Sequence, residues 1–466
     1  MRILLATISA LALAACAHGP APETDVTTDL AAQTTPFDPD SHLWLEEVEG
    51  PEALAWVEAQ NTRTLAELEA DPHYAAFKAD ALEVLNDDQR IAYGTVRNGY
   101  VYNFWQDAVN VRGLWRRTTP ESYATDAPVW ETILDFDKLS ADEGKNWVYK
   151  GADCRRPNQG EASRCLISLS NGGKDAVIVR EFDLGTKTFV DGGFVTPEAK
   201  QGLAWSNLDT LLVATDWGAG TLTESGYPTT VKRWTRGTPM DSAAELIRGK
   251  TTDVGVWPMV IKLENGRILD GAVIAETFFT SKYFWFPEGE TEAVQWPIPL
   301  MSSPKGIYKG RFLFTLEQDW TPEGQAAFKA GDLVAFDVDA FLENRALPPV
   351  SLVFRPDATQ AVDGVAVAKG AALLAISENV VGKVLRLEPT EAGWTTSAID
   401  LPGSGQVGIA FADEDETAVF LNCEDFLTPD SLLNYDINTG AVTTLKSLPA
   451  KFDTAGLKVE QFFSTS

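Results

Sequence analysis

Histidine is nearly absent from this chain of 466 residues: it occurs three times, at positions 18, 42 and 73. A serine hydrolase draws its base from an imidazole that a carboxylate orients, so nothing after position 73 can supply one. No G-x-S-x-G run occurs either, which removes a common nucleophile turn. Cysteine is scarce, four in all, with no C-x-x-C spacing and no histidine cluster, so neither a metal nor any other cofactor is expected. Positive charge is the next shortage: 38 Lys and Arg stand against 67 Asp and Glu, a net charge of -29. That balance opposes binding to nucleic acid or to an anionic membrane surface, both of which need cations to displace counterions. It reads as a solubilising surface, with selection of cationic ligands as the alternative. What is plentiful is core-forming material, 44% hydrophobic and 10% aromatic residues. The chain is too long for one ordinary domain, so two bodies or one large ring are expected.

The first residues, "MRILLATISALALAAC", place Arg2 before an apolar run from Ile3 to Ala15. The run is shorter than the ~20 residues that span a bilayer and reads as an export signal, 1–16. Leu13-Ala14-Ala15-Cys16 resembles a bacterial lipobox, which implies cleavage before Cys16 and lipidation of its thiol; ordinary signal cleavage is the competing reading. With Ala17 next, the expected location is the cell envelope, lipid-anchored at the outer membrane and facing the periplasm. In an oxidising compartment Cys154 and Cys165, which bracket the polar stretch "RRPNQGEASR", are candidates for a disulfide. Cys423 then lacks a partner and reads as a small buried hydrophobe.

Residues 17–41, rich in Pro, Thr, Ala and Asp without apolar periodicity, read as a tether. In 42–86, Pro51 opens one helix with Leu54, Val57, Leu65 and Leu68 at helical spacing, and Asp71-Pro72 opens a second that ends near Leu85. These are the only convincing helices. From 87 to 448 the texture is short apolar-aromatic runs between polar turns. A strand end followed by a turn recurs at Thr118, Asp183, Thr235, Pro287, Asp337, Glu388 and Asp436, with spacings of 65, 52, 52, 50, 51 and 48 residues. Seven units of about 50 residues suit the four-strand blades of an all-β, seven-bladed β-propeller, with "FDKLSADEGKNW" as an insertion in the long first gap. A sandwich of irregular hairpins is the competing fold.

The segment "HLWLEEVEGPEALAWVEAQN", with Trp44-Leu45-Glu46-Glu47, Trp56-Val57 and Gln60-Asn61, resembles the opening of the prolyl oligopeptidase family, serine peptidase family S9A. "NWVYKGADC", "VIVREFDLGTKTFVDGGF", "LTESGYPTTVKRWTRGTP" and "KFDTAGLKVEQFFSTS" are similar to the propeller and exit segments of its bacterial members. The resemblance implies a seven-bladed propeller that caps an α/β-hydrolase domain, with 42–86 part of that hydrolase domain and 449–466 the start of its remainder, "LKVEQFF" being its first strand. It implies post-proline cleavage of oligopeptides that pass the propeller, and catalytic positions beyond Ser466. No catalytic residue is therefore carried over. The expected partners are oligopeptides or a separately encoded hydrolase domain, and the chain alone should be inactive. The alternative function is a non-catalytic, lipid-anchored propeller that binds peptides or a partner protein.

One stretch tests the enzyme reading directly. Ser170-Asn171-Gly172-Gly173 could be mistaken for a serine on a glycine turn, but "CLISL" precedes it and "AVIVREF" follows. Asn-Gly between two alternating runs predicts a hairpin, since both residues tolerate φ > 0.

Overall fold

The computed structural model describes residues 41–156, 163–403, 405–450 and 452–464. Cys16, His18 and nearly all of the stretch read as leader and tether lie outside the described residues. Two compact units are present, one ending at Asp87 and the other beginning at Asp88.

The first unit holds a 3-10 turn at Leu43–Glu46, α1 at Pro51–Glu69 and α2 at Tyr74–Asn86. Pro51 occupies the first turn of α1 after Gly50, where a missing N–H costs nothing. Trp44 packs edge-on to Trp56 at 6.3 Å. The second helix starts later than its proline suggests. The Asp71 carboxylate accepts the His73 N–H at 2.8 Å and closes a turn ahead of the helix, so Tyr74 is the first helical residue. Leu54, Val57, Leu65 and Leu68 are all exposed.

The second unit is a seven-bladed β-propeller. Among the described residues it contains seven separate four-stranded antiparallel sheets, blades 1 to 7, over 95–135, 147–189, 202–248, 255–295, 302–354, 360–398 and 406–447. Every one of the seven sequence markers falls at or just past the third strand of its blade, from Leu114–Thr118 in blade 1 to Ser431–Asp436 in blade 7. The long first gap is filled by two helices that the sequence reading missed, α3 at Pro120–Tyr123 and α4 at Phe136–Glu143. A third, α5 at Val338–Asn344, sits within blade 5. Asp135 and Asp337 cap α4 and α5 by accepting the N–H of Lys138 and Ala340, each at 2.9 Å.

Side-chain alternation explains why the blades stack. Along the second strand of blade 5, Phe312 and Phe314 pack against blade 4 while Leu313 packs against blade 6. The same split in every blade yields seven apolar clusters, one per joint between neighbours, including the joint between blades 7 and 1. Each sheet uses four consecutive strands, so no strand is shared across that last joint.

"LKVEQFF" pairs with no strand among the described residues. One sequence expectation is refined. The Asn-Gly hairpin is real but not tight. Arg164–Asn171 pairs antiparallel with Ile178–Asp183, yet the ladder ends at Leu169 opposite Ile178, because Asn171 turns to pair with Trp147 on the first strand of the blade.

Candidate functional site: two faces and a channel

An even number of antiparallel strands returns the chain to the side it came from. In each blade the first strand leaves one face of the ring and the fourth comes back to it, so all connections between blades, and all turns between second and third strands, share one face. The chain enters blade 1 and leaves blade 7 there; we call it the inlet face. The turns between first and second strands and between third and fourth strands occupy the far face.

The inlet face displays apolar side chains at its turn tips. Val109 and Val111 project from blade 1, Phe278 and Phe279 from blade 4, Val380 from blade 6 and Phe426 from blade 7; Phe278 is 87% exposed and Phe426 84%. Far-face turns carry fewer, Val129 and Leu208. Polar residues fix these tips. The Asp107 carboxylate accepts the N–H groups of Val109 and Asn110 at 2.9 and 2.7 Å, which lowers its pKa from 3.8 to about 2. The Thr277 hydroxyl accepts the N–H groups of Phe279 and Thr280, both at 3.1 Å. The Asp425 carboxylate accepts those of Leu427 and Thr428 at 2.8 and 2.7 Å. Val380 is held at φ 60 beside Asn379 at φ 50, a left-handed pair that a β-branched residue adopts only under strain.

Between blades 1 and 2 a cavity of about 440 Å³ opens, lined by Phe104, Val111, Arg112, Asp137, Trp147 and Tyr149. The Arg112 N–H donates to Asp137 at 3.0 Å, and Phe104 lies 4.8 Å from the Tyr149 ring. Such a lining suits an apolar side chain flanked by a polar group.

The central channel is walled by the first strands. Five of them carry a bulge that leaves one residue unpaired, namely Lys150, Ser206, Lys305, Asp363 and Ala410. Burial lowers the pKa of Lys305 and raises that of Asp363, both by desolvation. A cavity of about 220 Å³ lies along Asp363, Gly364, Val407 and Ile409 on adjacent inner strands.

No catalytic constellation is assembled among the described residues. Ser170 is fully buried and its hydroxyl donates to the Lys174 carbonyl at 2.8 Å. His73 makes its contact with Asp71 at 3.1 Å, and His42 lies beside Ser41, both in the helical unit. No group of metal-ligating side chains occurs among the described residues. Cys154 and Cys165 face one another across the first two strands of blade 2, Cα atoms 3.8 Å apart and sulfurs at bonding distance. Cys423 is buried, donates to the Pro402 carbonyl at 3.0 Å, and has its pKa raised by burial. Sequence reasoning named none of the inlet-face tips. "TFFTS" carried the signal, since two aromatics between turn-forming threonines cannot both be core.

Comparison with known proteins decides the family. Residues 26–448 match the family described as Prolyl oligopeptidase, N-terminal beta-propeller domain. The chain belongs to the prolyl oligopeptidase family. The match begins inside the stretch read as a tether and takes in the helices as well as the ring. Among curated relatives, an uncharacterized peptidase of Sinorhizobium fredii, y4nA, is 38% identical over 431 residues, 92% of this chain and 59% of its own length. An uncharacterized peptidase of Rickettsia prowazekii is 30% identical over 452 residues, 92% of this chain and 61% of its own. The solved structure of a post-proline cleaving enzyme from Rickettsia typhi superposes with a TM-score of 0.81 at 28% identity, over 88% of this chain and 61% of that one. Oligopeptidase B from Leishmania major shares the fold, with a TM-score of 0.66 at 13% identity. The chain thus spans about three fifths of the relatives it matches.

Proposed function

We propose that this ring is the access-controlling part of a serine-type, post-proline peptidase of short peptides, and that its inlet face covers a hydrolase domain supplied by another stretch of polypeptide. The observation that carries the proposal is the coincidence of three properties on one face. The chain enters and leaves there, the apolar tips Phe278, Phe279, Val380 and Phe426 project there, and hydrogen-bonded turns hold them out in water. Exposed apolar groups gathered on one side mark an interaction surface. The Rickettsia typhi relative, a post-proline cleaving enzyme, supports the reaction class.

The test is hydrolysis of a Gly-Pro chromogenic substrate. The chain alone should show none; addition of the remaining portion of the Sinorhizobium relative, expressed separately, should give activity that Phe278→Ser with Phe426→Ser weakens. Proline-peptide binding with no hydrolysis under any combination would replace this reading with the non-catalytic, peptide-binding propeller. We further propose lipidation at Cys16 and a periplasm-facing membrane location. Incorporation of labelled fatty acid that Cys16→Ala abolishes is the expected result, and unchanged labelling would refute it.

A further inference from the structure

The far-face turn of blade 7, Asp413-Glu414-Asp415-Glu416, is held by four other blades. From blade 2, the Arg156 guanidinium lies 2.6 Å from Glu414, 2.9 Å from Asp415 and 3.7 Å from Asp413. From blade 4, the Lys262 ammonium pairs with Asp415. From blade 6, the Lys369 N–H donates to the carbonyls of Asp413 and Glu416 at 3.2 and 2.9 Å. From blade 1, the Asn98 N–H donates to the Glu416 carboxylate at 3.1 Å. All five ionic side chains, Arg156, Lys262, Asp413, Glu414 and Asp415, keep less than a quarter of their surface in water, the most exposed being Arg156 at 22%.

Blades 4 and 7 are as far apart as two blades of a seven-membered ring can be. An ion pair joining them must therefore cross the axis. Lys262 ends the first strand of its blade, and Asp415 follows the first strand of blade 7, so the crossing lies at the far-face mouth of the channel. Arg156 meanwhile passes over blade 1 to reach blade 7, across the joint that has no shared strand.

We infer that Arg156, Lys262 and the acidic turn 413–416 form an ionic tie that closes the far-face mouth of the channel and holds the ring shut across the joint between blades 7 and 1. The tie works by charge neutralisation: three carboxylates are drawn inward over the axis by two cations, and removal of either cation leaves them repelling one another in a half-dry site. Neither part of this depends on an attached hydrolase domain.

Hydrogen exchange on the full chain tests it. Lys262→Met and Arg156→Gln keep much of each side chain's bulk and remove its charge. Each should raise amide exchange at 413–416 and in the first strand of blade 1 by about tenfold or more, while the second strand of blade 5, Arg311–Leu316, stays protected and reports an intact ring. Arg156→Lys and Lys262→Arg, which keep the charge, should hold protection closer to wild type than the neutral variants do. Exchange at 413–416 equal to wild type in both neutral variants would overturn the inference, as would charge-keeping variants no better protected than the neutral ones.

Discussion

The joint between blades 4 and 5 and the joint between blades 7 and 1 are built from the same kind of strands, yet they differ in substance. The first buries seventeen residues, with Trp296 stacked at 4.6 Å on Phe312 and at 4.7 Å from Phe341. The second buries six, Val96, Val101, Tyr123, Phe411, Phe420 and Leu432. Polar links supplement it: the Tyr93 hydroxyl donates to Asp430 at 2.6 Å and the Lys446 ammonium donates to the Thr125 carbonyl. A ring closed by consecutive blades must have one joint between its two ends, and here that joint has the smallest apolar core. Dry packing carries the interior joints, whereas the closing joint leans on hydrogen bonds and charge.

The largest expected effect follows from this contrast. Phe312→Ala should cost about 3 to 5 kcal/mol of global stability by leaving a cavity in the aromatic joint, read as a loss in denaturant midpoint. Phe420→Ala at the closing joint should cost about 3 kcal/mol, the low end of that range, and show first as faster exchange in blades 1 and 7, with blades 4 and 5 unchanged. Equal behaviour of the two variants would erase the distinction. Next in size is the pair Cys154 and Cys165 at the joint between blades 1 and 2. If it is oxidised, reduction should lower stability by about 2 to 3 kcal/mol, and thermal melts with and without a dithiol settle the point.

Smaller effects sharpen the contrast between the two faces. Val380→Gly relieves a left-handed β-branched residue and should stabilise by about 0.5 to 1 kcal/mol in a chemical melt. No gain there would mean that contacts of Val380 offset its strain. The smallest concerns Asp107, whose folded pKa of about 2 lies below its ordinary 3.8. Its contribution is complete above about pH 4 and is lost as the pH falls through 2, and for this solvent-facing carboxylate it should stay under about 1 kcal/mol. Asp107→Asn should flatten the pH dependence of exchange at Val109 and Asn110.

The architecture was legible because blade construction repeats a local pattern. A strand of alternating apolar residues ends in a polar turn, and that alone put all seven markers at or just past third strands. α3 and α4 were hidden because helices of four and eight residues give too few turns for a periodic signal. α5 was hidden for the same reason. The ionic tie was invisible for a different one: Arg156 and Asp415 are 259 residues apart and Lys262 and Asp415 are 153 apart, so only ring closure brings them together. The family resemblance came from Trp44-Leu45-Glu46-Glu47 and its neighbours, not from the site, which explains why the fold was read more fully than the surfaces that act.

The shared face of the two chain ends has a mechanical meaning. A pull on both ends at once would act on the first strand of blade 1 and the last strand of blade 7, Val442–Ser447, which flank the joint with the smallest core. Tension would peel strands at that joint in sequence before it reached the aromatic blades opposite. The ring therefore has a built-in tear line, and the charged tie across it acts as the stitch that raises the force at which tearing begins.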